Sequence, residues 1–218
     1  MLWCFAPSVI TYAASITPDL SASVLGLATC YAFRSWLRNT ITWHRTSAVG
    51  VTLGLCELTK FTWLILYLLF PLLLMAFLLQ KSEGRCARTF ATRYFHLIVM
   101  FLVSVYVINL GYGFEESFRP IGEFQFFSQQ FGGSESRAGR TGNRFQNAWL
   151  AKIPVPLPAN MVRGIDFIKY EFENGYWSYL NGEHRHGGWW YYYIYAMFVK
   201  IPVGTQLEPD KHCSDFRY

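Results

Sequence analysis

The sequence predicts an all-α integral membrane protein, a multi-pass helical bundle with one long extracytoplasmic loop. Three observations carry that reading. Residues 61–79 form an apolar run without a single charge, and roughly 20 apolar residues in a helix cross a bilayer core. Only 15% of the 218 residues are charged while 52% are hydrophobic, whereas about a quarter of a soluble domain is charged. The basic residues collect in short loops between apolar runs, the positive-inside pattern. A net charge of +5 therefore points to membrane lipids as surroundings, and no nucleic-acid partner is expected.

The segments follow in order. Residues 1–112 are expected to hold about five crossings, the first truncated. The N-terminal stretch lacks a basic n-region and a small-residue cleavage site, so it reads as a chain beginning partway into a transmembrane helix rather than a signal peptide. Residues 20–33 are the next apolar run. Residues 34–45 carry Arg34, Arg38, His44 and Arg45, and residues 81–93 carry Lys81, Arg85, Arg88 and Arg93. Both loops are assigned to the cytoplasm. The stretch between them must cross an even number of times, so residues 46–80 make one helical hairpin. Gly50 and Gly54 keep its first arm slim enough for close packing.

Charge then fixes what lies on the other side. Glu57 and Lys60 are the only charges within the hairpin, and an intramembrane charge is costly, so both are placed at its extracytoplasmic turn. They are three residues apart and suited to pair with each other. The helix after Thr17-Pro18-Asp19 starts on that same side. Thr17 is a candidate N-cap, Pro18 fits the first helical position, and Asp19 complements the dipole. Asp19 thus reads either as a helix start or as one of three charges, with Glu57 and Lys60, converging on one membrane face.

The run 96–112 exits to the outside. Residues 113–188 form an extracytoplasmic loop too long for a passive connector, with Arg119, Arg137, Arg140, Arg144 and Arg163 and the Pro-rich run 153–158. Residues 189–203 hold six aromatics in the seven positions 189–195, a composition of the membrane interface, and read as an interfacial or transmembrane helix. Residues 204–218 are an atypical polar tail. The five cysteines show no CxxC spacing and read as small apolar fillers. There is no Walker loop, no HExxH, no internal repeat, and Asn147-Ala148-Trp149 fails the glycosylation sequon. His184-Arg185-His186 is not a metal motif by itself.

Acidic and basic groups at a membrane surface suit a ligand with an anionic headgroup and a lipid tail. A Lys holds a phosphate, and a carboxylate binds a metal or takes a proton from a hydroxyl. Two stretches sharpen this. TPDLSASVLGLATCYAFRSWLR, followed by AVGVTLGLCELTKFTWLILYLLFPLLL, contains a T-x-D helix start and a G-x-x-x-G-L-x-x-L-T-K arm. PVPLPANMVRGIDFIKYEFENGYWSYLNGEHRHGGWWYYYIYAMFVKIPVGT contains the Y-L-x-G-E, G-W-W-Y-Y and K-x-P blocks. Together, spanning most of residues 1–205, they resemble bacterial membrane glycosyltransferases of the dolichyl-phosphate-mannose–protein mannosyltransferase type (family 39-like), which include the lipid A aminoarabinose transferases.

The resemblance implies part of a GT-C fold in the bacterial inner membrane, its site facing the extracytoplasmic side. It implies transfer of a sugar from a polyprenyl-phosphate-linked donor to a protein, lipid or glycan acceptor, by direct displacement at the anomeric carbon. Asp19 would be a supporting acid and Lys60 the donor-phosphate ligand; Arg163, chosen from its place in the outer loop alone, is a second candidate for the donor phosphate. Glu57, Tyr191 and Tyr192 would be supporting residues. The family's catalytic base would lie upstream of Met1, so the chain reads as a fragment. The resemblance leaves room for a divalent metal, and no residue pattern specifies a metal ligand. The alternative is a non-catalytic multi-pass protein, such as a transporter fragment or an accessory subunit.

Overall fold

A computed structural model describes residues 18–80, 87–133, 141–175 and 177–200. The expected first crossing, Thr17, the first part of the second basic loop (residues 81–86, with Lys81 and Arg85), Arg137 and Arg140, residues 201–203 and the polar tail lie outside the described residues. The described residues divide into two compact units, one over residues 18–170 and one over residues 171–200.

The first unit is built on four helices: α1 Asp19–Arg38, α2 Trp43–Thr59, α3 Ile65–Gln80 and α4 Ala87–Gly111, with a 3-10 turn Phe61–Leu64 leading into α3. Two stretches are long and apolar enough to cross a membrane, Phe61–Gln80 and Phe90–Gly111. Only 22% of the first window and 33% of the second are buried. Leu68, Leu72, Leu79, Ile98, Leu102 and Leu110 all face outward, which is the reverse of a core helix in a soluble protein.

The two basic segments are shorter as loops than their composition suggests. Arg34 and Arg38 belong to the end of α1, where a cation favours the helix dipole. His44 and Arg45 open α2, leaving only residues 39–42 as connection. Thr42 caps α2 by accepting from the Arg45 N–H at 3.5 Å. The described part of the second basic segment is likewise helical and extends α4 back to Ala87. At its other end α1 starts at Asp19 with Pro18 as the capping residue, one position later than the Thr17 cap predicted from sequence.

Glycine decides how these helices pack. A Cβ on Gly50 would lie 2.7 Å from Val103 Cβ and 2.8 Å from the Met100 carbonyl, and one on Gly54 would lie 2.7 Å from Val107 Cβ and 2.8 Å from the Ser104 carbonyl. The pair lets α2 sink onto α4. The hairpin expected over residues 46–80 is therefore not a zipped pair: α2 packs chiefly on α4 and α1. Below the glycines, Phe33 stacks face to face on Phe70 at 3.9 Å. Trp36 donates its indole N–H to Thr46 Oγ1 at 3.2 Å, and Thr46 Oγ1 meets His96 Nδ1 at 2.9 Å. Arg93 donates to the Leu37 carbonyl at 3.3 Å and lies over the Trp36 ring. One buried polar chain thus ties α1, α2 and α4 together inside an apolar core, where unpaired polar groups would be expensive.

The segment after α4, expected to be more than a passive connector, is ordered by side chains. Asn109, buried near the end of α4, donates to the Pro156 carbonyl at 3.0 Å and accepts from the Ser117 hydroxyl. The proline run lies alongside the preceding chain: Phe118 N–H donates to Val155 O and Val155 N–H to Arg119 O, both at 3.0 Å. Phe124, Phe126 and Ala159 form a small core there. Helix α6, Ala159–Asn174 (α5 being the single turn Gln129–Gly132), is anchored by Asp166. The buried Asp166 carboxylate accepts from Phe127 N–H at 2.7 Å, Ser128 N–H at 3.2 Å and Ser128 Oγ at 2.6 Å.

In the second unit, β1 Trp177–Leu180 and β2 Glu183–His186 form a hairpin. Its two-residue turn, Asn181-Gly182, has φ of 51° and 90°, the geometry that Asn-Gly adopts most readily. Helix α7 runs Tyr192–Lys200. The aromatic segment predicted at residues 189–203 is thus helical over its described second half.

Two substitutions test this packing. Gly54→Val must drive α2 off α4 and should destabilise the protein by about 2 kcal/mol, seen as a lower midpoint of thermal unfolding in detergent. Asp166→Ala strands three donors and should remove roughly 3 kcal/mol or more. Limited proteolysis should then cut within residues 113–158 while α2 and α4 remain resistant.

Candidate functional site

Asp19 and Lys60 meet. Lys60 follows the last residue of α2 with an extended backbone, φ −160° and ψ 128°. That turn carries its side chain sideways to the start of α1, where Nζ donates to Asp19 Oδ1 at 2.7 Å. The side chains are 49% and 43% exposed. An ion pair so open contributes under about 1 kcal/mol to stability. Its consequence is placement: a cation fixed where two helix ends meet and accessible from outside.

Glu57 does not join them. The expected Glu57–Lys60 pair is absent, because α2 continues through Thr59 and turns Glu57 inward. It is 2% exposed, and neither of its carboxylate oxygens has a hydrogen-bond partner among the described residues. The same glycine-mediated close packing that sinks α2 onto α4 buries it. Cys56 beside it is a buried free thiol.

Arg163 stands one residue from a close approach to the Lys60 turn. A Cβ on Gly164 would be 3.0 Å from two ring carbons of Phe61, so α6 lies directly against the residue after Lys60. Arg163 donates to Glu116 at 3.1 Å and to Asn160 at 3.3 Å. Glu116 also accepts from Arg119 at 3.1 Å, and Arg119 reaches Glu123 at 3.3 Å. Two guanidiniums and two carboxylates alternate along one surface. Arg119, Phe127, Arg163 and Asp166 line part of a cavity of about 280 Å³ there.

Glu116, Asn109 and Asp166 did not stand out in the sequence, and Arg119 was noted only as one of the basic residues of the long loop. Asn109 carried a signal, being a lone amide at the end of an apolar run. Asp166 lay inside a recognised stretch with nothing to show that backbone amides would surround it.

Tyr191 and Tyr192 belong to the second unit. Tyr192 opens α7 and lines a cavity within that unit, while Tyr191 packs edge-on to Trp190 at 5.5 Å. His184 and His186 sit on β2 opposite Tyr179 and Trp177. Among the described residues no three His, Cys, Asp or Glu side chains gather to hold a metal. Asp19 offers one carboxylate already held by an ammonium, and a hard divalent cation needs several oxygen ligands. These residues do not fit a divalent ion.

Glu57→Gln keeps the shape and removes an ionisable group that nothing compensates. It should raise the unfolding midpoint by the equivalent of about 1 kcal/mol, with Glu57→Lys lowering it. A Gln variant less stable than the parent across the pH range would show that the carboxylate has a partner. No protein-family model matches the chain, and no curated protein or solved structure matches it.

Proposed function

We propose that this chain is part of a membrane glycosyltransferase of the protein-mannosyltransferase and aminoarabinose-transferase type, a GT-C bundle that takes its sugar from a polyprenyl-phosphate-linked donor. The observation that carries the reading is the Lys60–Asp19 contact at 2.7 Å. It spans two helix ends, is exposed, and lies next to the helix bearing Arg163. The outward apolar faces of α3 and α4 support a lipid setting. The separation of Arg34, Arg38 and Arg93 from Asp19 and Lys60 along the helices supports placing the latter on the extracytoplasmic side.

The chemistry follows from charge. An acceptor hydroxyl attacks the anomeric carbon, the bond from that carbon to the phosphate oxygen breaks, and its electron pair leaves with the polyprenyl phosphate. The leaving phosphate gains negative charge, which an ammonium fixed nearby stabilises. Asp19 positions Lys60 until a phosphate competes for it. Arg163 has donors beyond those directed at Glu116 and Asn160 and offers a second cation. The acceptor's proton goes to a base that this reading does not assign within these residues.

A second reading, a transporter fragment or accessory subunit, is favoured by Glu57 alone. Ionisable groups inside membrane helices commonly mark ion pathways.

Equilibrium binding of a polyprenyl phosphate to the protein in vesicles separates the two. Lys60→Ala should weaken binding at least tenfold, about 1.4 kcal/mol or more. Asp19→Asn, which removes the competitor, should leave binding intact or tighten it a few-fold. Wild-type affinity in Lys60→Ala would sink the transferase reading. A Glu57→Gln effect on ion flux, without any polyprenyl phosphate binding, would favour the alternative.

A further inference from the structure

The second unit holds a cavity of about 750 Å³, within the size range of small-molecule sites. Its walls are Trp177, Ser178, Tyr179, Trp189, Tyr192 and Tyr193, with Phe172 at one side. Among the described residues no aliphatic side chain lines it. Every lining side chain except Phe172 carries a hydrogen-bonding group beside or at the edge of its apolar surface. Gly175, Gly187 and Gly188 complete the lining, with positive φ of 75°, 89° and 71°; a Cβ would meet the His186 ring at 2.9 Å on Gly175 and Ser178 Oγ at 3.3 Å on Gly188, whereas Gly187 faces open space and leaves its backbone to a ligand.

This composition separates two ligand classes. An acyl chain is matched by branched aliphatic walls and gains nothing from hydroxyl and indole N–H groups. A pyranose ring has an apolar face of C–H groups and an equatorial rim of hydroxyls. It is matched by aromatic faces with polar edges, since Tyr and Trp offer an apolar body and a hydrogen-bonding tip. The hairpin reinforces the wall. Cross-strand pairing sets His186 against Trp177 at 5.4 Å and His184 against Tyr179 at 4.9 Å between ring centroids, holding the orientation of both aromatics. Trp190 adjoins Trp189 in sequence but does not line the cavity.

We infer that this cavity is a saccharide-binding site in which Trp177, Trp189 and Tyr192 stack on sugar rings while Ser178 and the Gly187 backbone meet the hydroxyl rim. Its use for the glycan acceptor rests on the transferase reading; the sugar binding itself does not.

The test uses the full chain in nanodiscs, titrated with mannotriose, chitotriose and maltotriose and followed by tryptophan fluorescence and calorimetry. At least one oligosaccharide should bind. Trp177→Ala and Trp189→Ala should each weaken it tenfold or more, Trp177→Phe should retain most of the affinity, and Trp190→Ala should change it less than twofold. Absence of binding by all three sugars overturns the inference, as does an equal loss in Trp190→Ala. Brominated lipids quenching Trp177 and Trp189 as strongly as Trp190 would show the walls facing lipid instead. Sugar binding by a protein that does not bind polyprenyl phosphate leaves this site standing and removes the transferase reading; the opposite result does the reverse.

Discussion

Gly50 and Gly54 take two side chains off one face of α2, and the atoms they lack would overlap Val103 and Val107 of α4. Close helix contact of this kind brings backbone against side chain and maximises dispersion. Much of the first unit hangs on it. It sets the depth at which Thr46 meets His96 and Trp36. It turns Glu57 into the bundle. It also fixes where α2 ends, and so where Lys60 leaves the helix to find Asp19. A single packing decision thus produces both the stabilising polar chain and the exposed cation.

The polypeptide after α4 solves a different problem. It has few regular hydrogen bonds, so its backbone polar groups need other partners. Asn109, Asn143 and Asp166 supply them. Asn143 donates to the carbonyls of Ile121 and Phe124 at 2.9 and 2.7 Å, as Asp166 accepts from the amides of Phe127 and Ser128. These three side chains act in place of a sheet. They hold the alternating Arg and Glu residues, Arg163 among them, close to the Phe61 turn.

The two units differ in the surface they present. The first shows aliphatic residues along α3 and α4, a surface suited to lipid. The second shows tryptophan and tyrosine with hydroxyl, indole and imidazole edges, a surface suited to ligands that are half apolar and half polar. Glu57 stands apart from both. Its buried carboxylate has no hydrogen-bond partner among the described residues, which is destabilising, and packing alone does not explain its persistence.

Local composition was enough to identify the long apolar helices and the Gly50/Gly54 contact surface, because each depends on neighbours within a few residues. Through the distribution of charge it also brought the start of α1, with Asp19, and the end of α2, with Lys60, to the same face. It mispaired Glu57 with Lys60, since a spacing of three predicts a pair only if both side chains leave the helix on one side. Lys60 instead turns away on an extended backbone towards a residue 41 positions earlier. The Arg34–Arg45 segment read as loop by charge, yet arginine is a good helix former and most of it is helix. The anchoring by Asn109 and Asp166 and the meeting of Gly164 with Phe61 were decided by tertiary structure alone. They join residues about 40 to 100 positions apart, and nothing in the local sequence encodes which backbone amide or ring will arrive there.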